Sequence, residues 1–339
     1  MKKDNLILKI MAACVLTALL SLAVSCENDS AVSSDGMTVD LTFSNPSIRA
    51  SVDSKGSIDG NNFPYSHTAY EIGLWLMHPG SDVIPQIEGF DNLKAEYLFA
   101  DGVNRWTYYP FGTGAGQTGE SSLHILKDKA VDIYAYHPWV EGSDDITKIA
   151  FVSGEDDWMT AVPIRLDEDE TSTELSRTLE FRHLMTCIEV RIQCRYEGSI
   201  SLTSMTLTDT EGRLVASGTF DCTAEDVSDA VTGSKGNIIK VEPKRSLRGG
   251  YWVSTYIMMP PVYGLDLASN EMKLSFVFNN ISAETEFYLP STMKNSSVPV
   301  TEFERGYKYI YELKLDNTMD FRPVGIEKQW QTQTITLPI

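Results

Sequence analysis

Positive charge is scarce in this sequence. Its 339 residues include 28 lysines and arginines against 47 aspartates and glutamates, which gives a formal net charge of −19. A protein that binds nucleic acid or an anionic membrane surface needs a basic patch to meet the phosphates. The composition therefore argues against both kinds of partner, and we expect no nucleic-acid binding.

Cysteine is also rare, and only three of the 5 cysteines (Cys187, Cys194 and Cys222) lie beyond the N-terminal region. No C-x-x-C spacing suggests zinc, and the 5 histidines are scattered without the spacing of metal ligands. We therefore expect no metal site and no cofactor. Cys187 and Cys194 fall on opposite faces of one predicted strand, which excludes a disulfide along that strand. We interpret the three thiols as packing residues.

Catalytic motifs are missing as well, because neither G-x-S-x-G nor H-E-x-x-H occurs. Residues 114–119 (GAGQTG) satisfy G-x-G-x-x-G. A dinucleotide site, however, needs a strand before the glycines and a helix after them. Here the segment leads to another strand-like run, so a hairpin loop is the better interpretation. We predict no catalytic residues and no enzymatic activity.

Long amphipathic helices are absent from the pattern, and only residues 224–231 indicate a short helix. Alternation of apolar and polar residues, the signature of a strand with one buried face, recurs along the chain instead. The clearest series runs through Tyr307, Tyr309, Tyr311, Leu313 and Leu315. Many short strands separated by Gly, Ser and Asn clusters predict an all-β protein built of β-sandwiches.

The N-terminal region has the pattern of an export signal. Lys2 and Lys3 precede an apolar run at residues 10–24, which is short for a membrane span. The run ends in a small residue before Cys26, and this resembles the lipobox of bacterial lipoproteins. Residues 1–25 are therefore predicted to be a lipoprotein signal peptide, with Cys26 as the lipidated residue. An ordinary signal peptide with an incidental cysteine is the alternative.

Acidic residues follow the cysteine, at Glu27 and Asp29, and resemble the surface-export signal of Bacteroidota lipoproteins. The expected location is the outer face of the outer membrane. Residues 26–36, rich in Ser, Asp and Asn, are predicted to form a flexible tether.

Four consecutive carboxylates at residues 167–170 mark the clearest boundary candidate. Such a run repels itself and has no apolar face to bury, so it favours an exposed connector. We place a domain break near Ser172, between an N-terminal sandwich at residues 37–172 and a C-terminal sandwich at residues 173–339. A charged loop within one domain is the alternative.

The last residues, QTQTITLPI, alternate like a strand, with Ile335, Leu337 and Ile339 on one face. No later strand remains in the sequence for them to pair with, and an open strand edge is a hazard unless something covers it. The first predicted strand, residues 38–43, has the same alternation through Val39, Leu41 and Phe43.

Arg49 follows the first strand closely. It lies between Pro46 and Gly56, among Ser, Asn and Asp residues that favour an exposed turn, where proteolytic cleavage concentrates. We predict cleavage of the Arg49–Ala50 bond, with Lys55 as a poorer site. An ordinary solvated arginine in a loop is the alternative.

Several segments together resemble the fimbrillin family, the pilins of type V pili in Bacteroidota. They are residues 131–139 (VDIYAYHPW), 157–163 (DWMTAVP), 181–192 (FRHLMTCIEVRI), 303–316 (FERGYKYIYELKLD) and 326–330 (IEKQW). The resemblance covers nearly the whole chain after the leader, in the right order. It implies two transthyretin-like β-sandwich domains, export as a lipoprotein, and assembly by strand exchange after cleavage by an Arg-specific protease.

The resemblance also supplies a partner for the last strand. In such pilins the first strand is removed, and the groove left behind accepts the C-terminal strand of a neighbouring subunit. The implied function is a structural or adhesive pilus subunit whose partners are other pilin subunits, in a homo- or heteropolymer. The lipid anchor would hold it at the outer membrane before maturation, and a ligand on a host or bacterial surface is left open.

Two other functions compete with this one. The chain could be a monomeric surface lipoprotein that binds glycan or host protein, although its aromatic residues mostly alternate within strands and so favour core packing. A secreted β-sandwich hydrolase is the third hypothesis. The last strand could also complete its own C-terminal domain rather than be donated.

Overall fold

The computed structural model describes residues 36–44, 69–79, 91–100, 103–109, 123–126, 130–167, 174–195, 200–279, 284–294, 296–315 and 320–327. Strands make up almost all of the regular structure in these ranges. No helix within them is long and apolar enough to cross a membrane. The predicted leader, nearly all of the predicted tether, and residues 45–68 and 328–339 lie outside the described residues.

Ten strands are described in the N-terminal part of the chain, which we take as the residues up to His183. They are β1 (Gly36–Ser44), β2 (Ala69–Met77), β3 (Leu93–Ala100), β4 (Val103–Tyr109), β5 (Leu123–Leu126), β6 (Val131–His137), β7 (Ile149–Val152), β8 (Met159–Ala161), β9 (Ile164–Leu166) and β10 (Glu174–His183). All but β7 belong to one 9-stranded sheet of order β4-β3-β2-β6-β8-β10-β1-β5, in which β9 also pairs with β6.

The strand β10 changes partner along its length. Residues 174–180 pair in parallel with β1, whereas residues 181–183 pair antiparallel with β8. A strand of this kind can turn the corner between the two layers of a sandwich. Leu179 and Phe181 of β10 are buried in a core with apolar residues of β2, β3, β6, β8 and β9.

The C-terminal part, from Thr186 onward, supplies the other thirteen described strands and two short helices. The strands are β11 (Thr186–Cys194), β12 (Ile200–Asp209), β13 (Leu214–Phe220), β14 (Val231–Gly236), β15 (Ile238–Val241), β16 (Arg245–Leu247), β17 (Trp252–Met259), β18 (Val262–Tyr263), β19 (Met272–Phe278), β20 (Thr285–Tyr288), β21 (Glu302–Phe303), β22 (Lys308–Leu315) and β23 (Asp320–Glu327). The helices are α1 (Val227–Ala230) and a 3₁₀ turn (Leu267–Ser269).

Two sheets of the C-terminal part enclose a common core. One has the order β17-β11-β22-β23, and the other has the order β15-β12-β19-β20 with β16 also on β12. Alternate residues of β11, among them Ile188 and Ile192, are buried in one cluster with Leu207 of β12 and Phe276 of β19. Shared burial between the inner faces of two sheets is the arrangement of a β-sandwich.

A third sheet joins the two parts of the chain. Its order is β14-β13-β7, so a strand from the N-terminal part lies beside a hairpin from the C-terminal part. A set of apolar residues from both parts is buried around it, and we call this set the junction cluster. Its members are Trp75, Met77, Tyr136, Ile146, Ile149, Phe151, Trp158, Leu184, Met185, Cys187, Phe220, Cys222, Ala230, Tyr256 and Met258.

The structure confirms the all-β prediction and the short helix near residue 227. Cys187 and Cys194 lie on opposite faces of β11, the first in the junction cluster and the second in the C-terminal core. The three described cysteines form no disulfide and are buried, and burial raises the pKa of the Cys222 thiol. Buried thiols of this kind act as packing groups.

The predicted domain break near Ser172 falls in residues 168–173, outside the described ranges. The strand β10 lies on the C-terminal side of that break in sequence, yet it pairs with β1 and β8 of the N-terminal sheet. Strand pairing therefore favours a boundary after His183, and the division into two domains stays a prediction.

Candidate strand-exchange site

The first described strand, β1, lies inside a sheet and not at its edge. On one side it pairs in parallel with β10, and on the other it pairs antiparallel with β5. A strand with neighbours on both sides leaves two rows of backbone hydrogen-bonding groups exposed when it departs. Removing β1 would therefore open a slot of the width of one strand.

The two ladders that hold β1 differ in length. The pairing with β10 runs from Thr38 to Ser44, whereas the pairing with β5 covers only Gly36 to Val39. Parallel pairing is slightly less stable per residue than antiparallel pairing. The longer ladder of β1, with β10, is therefore the one with the weaker pairing per residue.

The structure places the predicted residues Val39, Leu41 and Phe43 on β1. Their partners in the parallel ladder are Leu175, Arg177 and Leu179, in that order. Val39 is also level with Leu123 of β5. The three residues occupy alternate positions of one strand, so they share one face of the sheet.

The described strands impose no topological obstacle to the loss of β1. It is the first of them in chain order, and β2 begins only at Ala69. The predicted cleavage site, Arg49–Ala50, lies between β1 and β2 in sequence and outside the described residues. A cut between these strands would separate β1 without interrupting any other described strand.

At the other end of the chain, the last described strand is β23. It pairs with β22 alone among the described strands, which makes it an edge strand. Its pairing shifts register between Ile310 and Tyr311, and Pro323 lies opposite Tyr311. The predicted donor residues Ile335, Leu337 and Ile339 follow β23 in sequence and lie outside the described residues.

Sequence patterns missed β23 and both neighbours of β1. In β23, Pro323 and Gly325 interrupt the alternation that marks a strand. In β5, only four residues are available, too few for a pattern. In β10, Leu175, Leu179 and Phe181 do alternate with polar residues, but the predicted domain break near Ser172 assigns this strand to the C-terminal sandwich.

Polar clusters elsewhere in the described residues are ion pairs and hydrogen bonds between structural elements. Asp209 accepts hydrogen bonds from the guanidinium of Arg213, at 2.7 Å for the closest pair, and Glu271 contacts the same guanidinium at 2.9 Å. His183 lies 3.0 Å from Asp157. Within the described ranges, no group of three or more His, Cys, Asp or Glu residues could hold a metal ion.

Comparison with known proteins gives the chain its family. The sequence profile described as fimbrillin-like matches residues 71–335. This match spans most of the chain, from β2 to beyond β23. The chain belongs to the fimbrillin-like family, and this membership groups it with subunits of pili and adhesins at the cell surface. No protein of curated function matches it.

Solved structures show the same fold at low sequence identity. A candidate cell adhesion protein of Bacteroides uniformis is 13% identical, with a TM-score of 0.51 over 87% of this chain and 98% of its own. A second, from Bacteroides ovatus, is 14% identical, with a TM-score of 0.51 over 88% and 99% of the two chains. A third, from Bacteroides fragilis, is 10% identical, with a TM-score of 0.50 over 90% and 100%.

Proposed function

We propose that this protein is a structural or adhesive fimbrial subunit that joins its neighbours by exchange of a β-strand. The single observation that supports this most is the position of β1, the first described strand, between β10 and β5. In the proposal, β1 is a placeholder that is released after cleavage at Arg49–Ala50. Residues 334–339 of a neighbouring subunit then take its place.

The shared pattern of the two ends supports the exchange. Val39, Leu41 and Phe43 alternate with polar residues in the same way as Ile335, Leu337 and Ile339. In strand addition, the backbone ladder supplies hydrogen bonds and alternate side chains fill pockets. Two segments with one alternation can therefore occupy the same slot.

The energetics favour exchange once β1 has been cut from the chain. Burying each of Ile335, Leu337 and Ile339 is worth roughly 1.5–3 kcal/mol. Each ladder hydrogen bond contributes about 0.5–1.5 kcal/mol net. While the chain is intact, β1 competes intramolecularly and at high effective concentration, so cleavage is the step that allows the donor strand to enter.

Export and anchoring complete the proposal. Cys26 would carry the lipid that holds the precursor on the outer membrane, exposed to the cell surface, and cleavage after Arg49 would release the subunit from that anchor.

The protein would contain two transthyretin-like sandwiches. We place their boundary between β10 and β11, because β10 pairs only with strands of the N-terminal part among those described.

The test uses the chain from Glu27 onward, treated with trypsin while folded and then analysed by electrophoresis in SDS without heating. We expect cleavage at Arg49 followed by a ladder of SDS-resistant polymers. The double variant Arg49→Ala/Lys55→Ala, which has no trypsin site between β1 and β2, should abolish the ladder, whereas the matched variant Lys55→Ala should retain it. A chain lacking residues 333–339 should remain monomeric with a nearly unchanged melting temperature.

Two results would contradict the proposal. If the chain lacking residues 333–339 unfolds or is degraded, the last strand belongs to its own sandwich. If the cleaved wild-type chain stays monomeric, the function as a monomeric surface protein that binds glycan or host protein becomes the better account, and glycan arrays would then test it.

A further inference from the structure

A segment of the N-terminal part is built into the C-terminal part. We call residues 146–158, which contain β7, the crossing segment. Within it, Ile149, Ala150, Phe151 and Val152 pair antiparallel with residues 217–220 of β13. The N-terminal part thus contributes the third strand of a sheet whose other two strands, β13 and β14, form a C-terminal hairpin.

Backbone hydrogen bonds extend this pairing beyond β7. Ser153 donates its backbone N–H to the Ala216 carbonyl at 2.8 Å, and Gly154 exchanges two backbone hydrogen bonds with Met258 of β17, at 2.9 and 2.6 Å. At the start of the segment, Cys222 donates its N–H to the Ile146 carbonyl at 3.0 Å. The crossing segment is therefore hydrogen-bonded to the C-terminal part along most of its length.

Aromatic side chains fill the space under the segment. Phe220 of β13 meets Tyr136 of β6 edge to face at 5.8 Å and Trp158 at 5.9 Å, and Trp158 in turn meets Phe151 at 6.4 Å. All four are buried. Edge-to-face rings in a shared core add to the stabilisation that their burial already provides.

The hairpin has space for the Phe151 ring because glycine occupies position 218. A Cβ atom at Gly218 would lie 2.9 Å from Cε1 of Phe151 and 2.1 Å from the Thr232 carbonyl oxygen. Any other residue at this position would therefore displace the ring or the neighbouring strand. The sequence of the C-terminal hairpin is matched to the segment that crosses from the N-terminal part.

The end of the crossing segment is fixed to the N-terminal sheet. Trp158 donates its indole N–H to the Val152 carbonyl at 3.0 Å, and its own carbonyl accepts the Leu184 N–H at 2.8 Å. Asp157 contacts His183, the last residue of β10, at 3.0 Å. An ion pair between Glu155 and Arg245 of β16, at 2.9 Å, again links the two parts.

We propose that the crossing segment makes the two parts of the chain one cooperative folding unit, with the β13–β14 hairpin as its docking surface. Domains in one chain move and unfold independently unless the interface between them is large and apolar. Here neither part can unfold without exposing the junction cluster and breaking the β7–β13 ladder. This inference concerns the single chain and does not depend on strand exchange.

Differential scanning calorimetry of the chain from Glu27 onward tests this inference. We expect one transition whose van't Hoff and calorimetric enthalpies agree. Phe151→Ala should split it into two transitions, because two units then unfold separately. The ratio of van't Hoff to calorimetric enthalpy should fall to roughly one half. Val152→Ala is the matched control on the same strand: Phe151 is 2% exposed and Val152 is 63% exposed, so the control should keep one transition.

Hydrogen exchange on the wild-type chain gives an independent measurement, which stands even if Phe151→Ala does not fold. Amides of Phe181 in β10 and of Phe220 in β13 should open with the same free energy and the same dependence on denaturant. Two transitions in the wild type, or clearly different opening free energies for these two strands, would overturn the inference. So would a Phe151→Ala variant that keeps the single wild-type transition.

Discussion

The protein contains two parallel strand pairs among its described strands, and they are embedded differently. In the C-terminal part, β11 pairs with β22 from Cys187 to Cys194 and with β17 along a ladder of similar length on its other side. In the N-terminal part, β1 has a long ladder with β10 but only a short one with β5. Both pairs are parallel, but β11 has a long second ladder and β1 has only a short one.

The strands β11 and β1 also differ in their position along the chain. Strands precede and follow β11 in sequence, and its residues are mostly buried on both faces. Losing β11 would remove a strand from the middle of the C-terminal core, whereas β1 is the first described strand and belongs to the other sheet. Parallel pairing by itself therefore does not mark an exchangeable strand. Its place as the first described strand and its short second ladder are the features that single out β1.

The largest expected effect concerns Glu189, which fixes β11 to both of its neighbours. Its carboxylate accepts a hydrogen bond from Ser254 of β17 at 2.8 Å and lies 3.4 Å from the ammonium of Lys308 on β22. The side chains of Glu189 and Lys308 are only 4% and 7% exposed. Removing one partner of a buried ion pair costs about 3–5 kcal/mol, and we expect this loss for Glu189→Ala in urea unfolding. Glu286→Ala, at an exposed ion pair, is the control and should cost little.

Acid should weaken the same contact. Burial alone would raise the pKa of Glu189, but the charges of Lys308 and Arg191 and the hydrogen bonds outweigh it and lower the pKa below its usual 4.5. The stabilisation is therefore complete above pH 4.5 and is lost as the pH falls through the lowered folded-state pKa. Glu189→Gln should lose less stability over that range. If the stability of the wild type and of Glu189→Gln falls equally with pH, Glu189 does not contribute to the acid sensitivity.

Two substitutions test the comparison between β11 and β1 directly. Ile192 of β11 is fully buried, and Ile192→Ala should cost about 2–5 kcal/mol, measured from the urea midpoint. Leu41→Ala on β1 should cost less, because that strand is proposed to be replaceable. Val277→Ala, at a partly exposed position of β19, controls for loss of an aliphatic side chain. Equal costs at Ile192 and Leu41 would show that β1 is as integral as β11.

The sequence predicted much of the C-terminal core because periodicity is a local signal. Val190 and Ile192, like Leu313 and Leu315, alternate with polar neighbours and are buried where the alternation requires. The same reasoning could not place β10, since a strand's partners are distant in sequence. Nor could it find β7, because that strand has only four residues and its ladder partner β13 is distant in sequence.

For the candidate site, the sequence supplied β1 and its three alternating residues, but not the neighbours that define a slot. Pairing with β10 and β5 joins residues far apart in the chain, and no local pattern encodes that. The burial of Glu189 was equally out of reach, because a carboxylate on a strand is ordinarily an exposed residue. Its partners Ser254 and Lys308 come together only through the sheet.

The smallest expected effect concerns the edges of the C-terminal sandwich. Phe287 of edge strand β20 and Phe321 of edge strand β23 stack at 4.9 Å, and Phe321 also stacks on Tyr311 at 5.5 Å. These rings join the two facing sheets at one side of the C-terminal sandwich. The N-terminal sheet is the part that we propose exchanges its strand.

A double-mutant cycle measures this closure. Urea unfolding of Phe287→Leu, Phe321→Leu and the double variant should give a coupling of about 0.5–1.5 kcal/mol, the usual value for a stacked aromatic pair. Phe287→Leu combined with Phe220→Leu, which lies in the junction cluster, is the matched control and should be additive. Additive costs for the stacked pair would mean that β20 and β23 are independent edges. The difference between the two parts would then rest on β1 alone, with no contribution from coupled edges in the C-terminal sandwich.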